Sequence, residues 1–224
     1  MSFTYEEKES DSKFVDAIWR TCDQANGIYT APADGRWDLI FVASHNRTKV
    51  ILSSPTSRPT QVAYRAGNKN FGIRFHPSTF MSHVSTPDTI NKLYSSYVTD
   101  GIFFLFDKKW PLPTYETVED FIKGLEKARL LGQDDIVRMI LDGESPKITK
   151  RSVQRHFKKS TGLSKQYHSS IKQAEQALRL LETTTMSIIE IAHLVGYADQ
   201  AHMTRSLKRF TGLTPAEVIR SERQ

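Results

Sequence analysis

The spacing of apolar residues changes character along the chain. Up to about residue 115, short runs rich in Trp, Ile, Val, Phe and Tyr alternate with polar positions. They predict strands at about 13–22, 28–32, 37–43, 48–53, 60–66, 71–76 and 102–106. Turn-forming clusters separate them, such as Ala33-Asp34-Gly35, Ser54-Pro55 and Gly67-Asn68. In Phe71-Gly72-Ile73-Arg74-Phe75 the large apolar side chains fall on one face. Several short strands at this spacing predict a small β-sandwich or barrel. The period then lengthens. Val118, Phe121, Ile122, Leu125 and Ala128 mark a helix over about 117–131, and Ile136, Val137, Ile140 and Leu141 a second over 134–141. The fold class is therefore α+β. A β-rich, sandwich- or barrel-like domain (residues 1–130) precedes an all-α domain (residues 131–224).

The α-helical part contains one short pattern twice, offset by 50 residues. Thr149 to Ser164 and Asp199 to Thr214 each begin with a helix-capping residue and close on Thr-Gly-Leu and a fresh cap. Within each copy an apolar pair four apart, Val153/Phe157 and then Met203/Leu207, lies opposite a basic face. Ile148 is placed to staple against Val153. Between the copies, Tyr167, Ile171, Ala174, Leu178 and Leu181 define a long helix over about 164–182. At about 1.5 Å per residue it spans roughly 27 Å, enough to hold two docked helices about one DNA turn apart. Ser187 to Glu190 is a capping box with Met186 and Ile191 as its staple. Gly196 ends that short helix, and Asp199 starts the next, which gives a helix-turn-helix. Thr214-Pro215-Ala216-Glu217 is a further capping box, with Leu213 and Val218 as staple. The first copy has the helix at 134–141 as its partner, and Gly143 and Pro146 make that turn irregular.

Charge follows the same division. From Lys147 onward there are 14 Lys/Arg against 6 Asp/Glu, although the whole chain is only +6. A basic α-helical half beside a nearly neutral β half suits a polyanionic partner, double-stranded DNA. The single cysteine, Cys22, makes no internal disulfide and is expected to be a half-buried structural thiol. The acidic, polar start and the absence of a long apolar run predict a soluble, cytoplasmic protein with no membrane partner. Phosphate-binding, nucleotide-binding, zinc-protease and nucleophile-elbow motifs are missing. His45, His76 and His83 are too scattered for a metal barrel. The expectation is no enzyme, no cofactor and no metal.

Arg151-Ser-Val-Gln-Arg155-His-Phe157, Thr161-Gly-Leu-Ser164, Ile189-Glu-Ile-Ala192 with Gly196-Tyr197, and Thr204-Arg205 through Pro215 form an ordered set. This set resembles the AraC/XylS-type transcription regulators. The resemblance implies two helix-turn-helix units joined by a linking helix. Gln173 stands where the family usually has Arg, and Met203 and Leu207 where it often has Phe. The first half resembles the family's β-rich effector-binding domains through Trp37 to Phe41, Gly72 to Phe75 and Trp110 to Tyr115. That resemblance implies a bacterial-type one-component regulator with a small-molecule effector and RNA polymerase as further partners. Monomer and homodimer both remain open.

Arg151, Gln154 and Arg155 of the first copy, and Gln200, Thr204 and Arg205 of the second, are the expected base readers. Arg and Gln match the bidentate edges of G and A. Lys150, Lys158, Lys165, Lys208 and Arg209 are expected on phosphates, with His202 beside them. Trp19, Trp37 and Trp110 are the candidate ligand contacts, each with a purely structural alternative. The competing reading of the whole is a ligand-independent architectural DNA-binding protein.

Overall fold

The computed structural model describes residues 3–44 and 47–222. His45 lies outside the described residues. The strands are β1 (Phe3–Lys8), β2 (Val15–Asp23), β3 (Gly27–Ala31), β4 (Asp38–Ser44), β5 (Arg47–Ser53), β6 (Thr60–Tyr64), β7 (Lys69–Phe75), β8 (Thr79–Met81), β9 (Leu93–Tyr97), β10 (Ile102–Leu105), β11 (Lys108–Pro111) and β12 (Leu131–Gln133). The helices are α1 (Val118–Lys127), α2 (Asp135–Leu141), α3 (Lys150–Thr161), α4 (Lys165–Thr183), α5 (Ile188–Leu194), α6 (Gln200–Thr211) and α7 (Pro215–Glu222). A β-rich first half followed by a helical second half is the α+β arrangement expected from the pattern.

An antiparallel six-stranded sheet, in the order β1-β2-β7-β4-β5-β9, organises the first half. Its register carries the core across four strands. Ile18 faces Ile73, Ile73 faces Leu39, and Leu39 faces Leu52, and all four are buried. On this face Phe41 stacks on Phe71 at 4.5 Å and meets Phe103 and Phe121 edge-on at 5.6 and 6.0 Å. Helix α1 closes the core with Val118, Phe121, Ile122 and Leu125. The separate two-stranded β3–β6 sheet meets β1 through an aromatic group, with Phe3 at 5.7 Å from Tyr29 and 5.6 Å from Tyr64.

Each strand expected from alternation is present, but β1, β8, β9, β11 and β12 lacked a signal. Strands β1 and β9 are the sheet's outer strands and are mostly exposed, so nothing forces apolar residues into alternate positions. The first helix also stops earlier than its stripe suggested. Arg129 adopts φ 55°, and Leu130 and Leu131, which fall off the helical stripe, turn into the core. Leu131 then pairs with Met81, so the chain crosses residues 130 and 131 inside the packed β half. Cys22 is exposed on β2, between Thr4 and Lys69, and is not half-buried as expected.

In the second half, Ala177, Leu181, Ile191, Ala192, Tyr197, Met203, Leu207 and Val218 form one apolar cluster. A second cluster joins the halves, with Ala33 against Leu163, Ile171, Ala174 and Phe210. Among the described residues no helix is long and apolar enough to cross a membrane. No group of three or more His, Cys, Asp or Glu among them is placed to hold a metal ion.

Candidate nucleic-acid interface

Helices α3 and α6 are built by the same local devices. Thr149 Oγ1 accepts from Ser152 N at 3.2 Å, and Asp199 Oδ1 from His202 N at 2.6 Å. Each helix ends on a left-handed glycine, Gly162 at φ 72° and Gly212 at φ 78°. The Thr before each glycine explains the repeated Thr-Gly-Leu. Thr161 Oγ1 donates to Phe157 O at 2.7 Å and accepts from Leu163 N at 3.1 Å. Thr211 Oγ1 does the same with Leu207 O and Leu213 N, at 2.8 and 3.1 Å. A buried hydroxyl thus satisfies a carbonyl at the helix end and the first amide beyond it, which fixes how the chain leaves each helix.

The capping boxes form as the sequence predicts. Ser187 N donates to Glu190 at 2.8 Å and Glu190 N to Ser187 at 3.3 Å. Thr214 N donates to Glu217 at 2.7 Å and Glu217 N to Thr214 at 3.4 Å. Ile148, expected to staple against Val153, is not drawn into the core. Its N–H is held by Pro146 O at 2.8 Å in a tight turn, its side chain is exposed, and Val153 is only half-buried. Gln173, the departure in the linking helix, donates to Val195 O at 3.0 Å and so ties α4 to the end of α5.

These supports leave one polar face free on each helix. Lys150, Arg151, Gln154, Arg155 and Lys158 of α3 are exposed, as are Gln200, His202, Arg205, Lys208 and Arg209 of α6. Lys165, at the start of α4, is exposed as well. Thr204 is half-buried and its hydroxyl donates to Gln200 O at 2.9 Å. Arg151 and Arg155 line an open cleft of about 680 Å³ with Ile148, Thr149 and Ser152, beside the N-terminus of α3. Two of the expected phosphate contacts have intramolecular partners. Lys158 Nζ donates to Gly162 O at 3.0 Å, and the Arg209 guanidinium lies 5.0 Å from the Tyr167 ring. His202 packs edge-on against Tyr197 at 5.2 Å.

His156 of α3 has a structural partner. Its Nδ1 lies 2.9 Å from Asp134 Oδ2. Asp134 also caps α2 by accepting from Val137 N at 3.1 Å. Nothing in the spacing of two residues 22 apart announces this pair.

The seam between the halves is polar as well as apolar. Arg36 bridges Asp16 at 3.0 Å and Glu175 of α4 at 3.3 Å. Burial, with the Asp34 carboxylate beside it, pushes Asp38 up to about 7 against the pull of Arg74 and Arg36. Burial likewise raises Glu175. His168 of α4, buried next to Gly35, is held down to about 4 by desolvation and by Arg36.

The three tryptophans, each a candidate ligand contact, lie in two settings. Trp37 is part of the main core, and Trp110 packs edge-on against Phe121 at 5.4 Å. Trp19 lies across Gly72, where a Cβ would sit 2.4 Å from the indole. The indole N–H of each is buried with no hydrogen-bond partner among the described residues.

Residues 146–221 match a family model described as a helix-turn-helix domain. A search of curated proteins finds no match. Among solved structures, ToxT from Vibrio cholerae is 12% identical over 98% of both chains, with a TM-score of 0.46. ToxT bound to a methylnaphthalenyl butenoic acid is 11% identical over 98% of both chains, at a TM-score of 0.45. ToxT bound to an unsaturated fatty acid is 11% identical over 87% of this chain and 94% of that one, at 0.39.

Proposed function

We propose that this chain, whose residues 146–221 form an AraC-type helix-turn-helix DNA-binding domain, is a sequence-specific transcription regulator that reads two successive major-groove segments. The observation that carries this reading is the duplicated presentation of α3 and α6. Both helices have a side-chain N-cap and a left-handed Gly C-cap, the same Thr-Gly-Leu exit and a matching exposed face of Arg, Lys and Gln. Arg151, Gln154 and Arg155 read one half-site, and Gln200, Thr204 and Arg205 the other. Lys150, Lys165 and Lys208 sit on phosphates and set the register. Lys158 and Arg209 reach phosphate only by leaving Gly162 O and Tyr167.

The β half makes the regulator responsive to a small molecule. Support for this comes from a polar set on the face of the sheet away from the main core. There Arg74 lies 4.0 Å from both Asp38 and Glu7, and the neighbouring Trp19 keeps an unpaired indole N–H. Tyr5 joins the set by donating to Glu7 at 2.6 Å. Trp37 and Trp110 serve the core.

A selection from random duplexes with the full-length protein at physiological salt tests the reading. Enrichment of a bipartite motif whose parts lie about 10 base pairs apart supports it. Binding without enrichment would replace it with an architectural role.

A further inference from the structure

The two reading heads are anchored unequally. Helix α6 buries Met203, Leu207, Phe210 and Thr211; Met203 and Leu207 share a core with α4, α5 and α7, and its end touches the β half, where Phe210 O accepts from Ala33 N at 2.7 Å and Gly212 meets Thr30. Helix α3 buries a single large apolar side chain, Phe157, together with Ser160 and Thr161. It meets α4 through Phe157, whose ring lies 5.7 Å from that of His168. Most of its packing is instead on α2, on β8 and on the short 3-10 turn Thr86–Asp88 of the β half.

Two attachments make that seat specific. At the end of α3, Gly162 is covered by the β half. A Cβ there would lie 2.5 Å from Ile90 Cδ1 and 3.2 Å from Thr86 O. On the other side, Asp134 links three elements. Its N–H donates to Ser78 O at 3.1 Å, beside β8, while its carboxylate caps α2 and holds His156 of α3. Asp134 directly follows β12, which is itself paired with β8.

We infer that the first recognition helix is oriented by the β half and not by the linking helix, with Ile90 and Asp134 as its positioning residues. Helix α4 then carries the second head and only tethers the first. The β half becomes a determinant of one half-site, and any change in its state alters the reading of that half-site selectively. This rests on the proposed double-headed reading of DNA.

The test uses the full chain with Ile90→Ala, Asp134→Ala and Asp134→Asn, each assayed in two ways. The first assay is base discrimination at each half-site, the halves being assigned by Arg155→Ala and Arg205→Ala. Ile90→Ala and Asp134→Ala are expected to lose about fivefold or more of the discrimination in the Arg155 half and clearly less in the Arg205 half, since Ile90 also packs against the cluster that holds Phe210. The second assay is amide hydrogen exchange. Both variants are expected to speed exchange in α3 and leave α6 protected. Asp134→Asn, which still caps α2 and still offers an oxygen to His156, is expected to restore both readouts. Equal loss in the two half-sites, no loss in either, or equal deprotection of α3 and α6 would overturn the inference. If the unsubstituted protein shows no sequence preference, the double-headed reading fails. The exchange measurement still decides where α3 is seated.

Discussion

Arg155 stands exposed on the outward face of α3, beside the cleft at its start. Arg155→Ala should weaken the selected site by about 1–3 kcal/mol and relax one base position, as read by titration against single-base variants. Lys150 has no such directional role. Lys150→Ala should weaken all sequences alike and flatten the salt dependence by about one ion, measured from affinities across a salt series. The hydroxyls of Thr161 and Thr211 belong to stability. Thr161→Val keeps the shape of the side chain but strands the Leu163 amide in a buried turn. A loss of about 1–3 kcal/mol is expected in denaturant unfolding. The capping residues were readable from sequence because a cap is a local device, with donor and acceptor three residues apart. The Asp134–His156 pair was not, because tertiary packing alone brings together residues 22 apart.

At the scale of elements, α5 depends on its ends. It is only seven residues long, too short to persist without its box and its buried Ile191 and Ala192. Ser187→Ala should cost about 0.5–2 kcal/mol in thermal or denaturant unfolding, with base preference unchanged. The helices of the second half were legible because each carries an apolar stripe between recognisable caps. The outer strands were not. Exposure on β1 and β9 removes the alternation from which a strand is inferred. The end of α1 illustrates the same point from the opposite side. Leu130 and Leu131 follow the helix as further apolar residues but fall off its stripe, and the β-half core claims them.

At the scale of the whole molecule, three buried groups in and beside the seam, Asp38, Glu175 and His168, divide into two opposite pH dependences. Asp38 is raised to about 7, so the folded protein holds a proton that the unfolded chain releases above about 4. Its contribution to stability is present at low pH and is lost as pH rises through 7. Glu175, also raised, acts in the same direction. His168 is lowered to about 4, so the unfolded chain binds the extra proton between about 4 and 6.5, and stability is lost as pH falls through that window. The two oppose each other below 6.5, and single substitutions should expose them. Relative to the unsubstituted protein, Asp38→Asn should become more stable with rising pH between 4.5 and 6.5, and His168→Gln less stable. Each slope should be at most about 1.4 kcal/mol per pH unit, measured by denaturant unfolding at fixed salt. Parallel curves for all three proteins would show that neither group is coupled to folding.

The sequence by itself determined the order of a β-rich half and a helical half, the duplicated recognition helix, its caps and its outward polar face. All of these rest on local periodicity or on contacts within about five residues. Tertiary structure alone decided that Trp37 and Trp110 join the main core while Trp19 lies across Gly72, that Lys158 and Arg209 are partly occupied within the chain, and that α3 packs chiefly on α2 and the β half while α6 packs chiefly on α4. The physical reason is the same in each case. These outcomes depend on which surfaces bury one another, and burial between distant segments leaves no period in the chain to read.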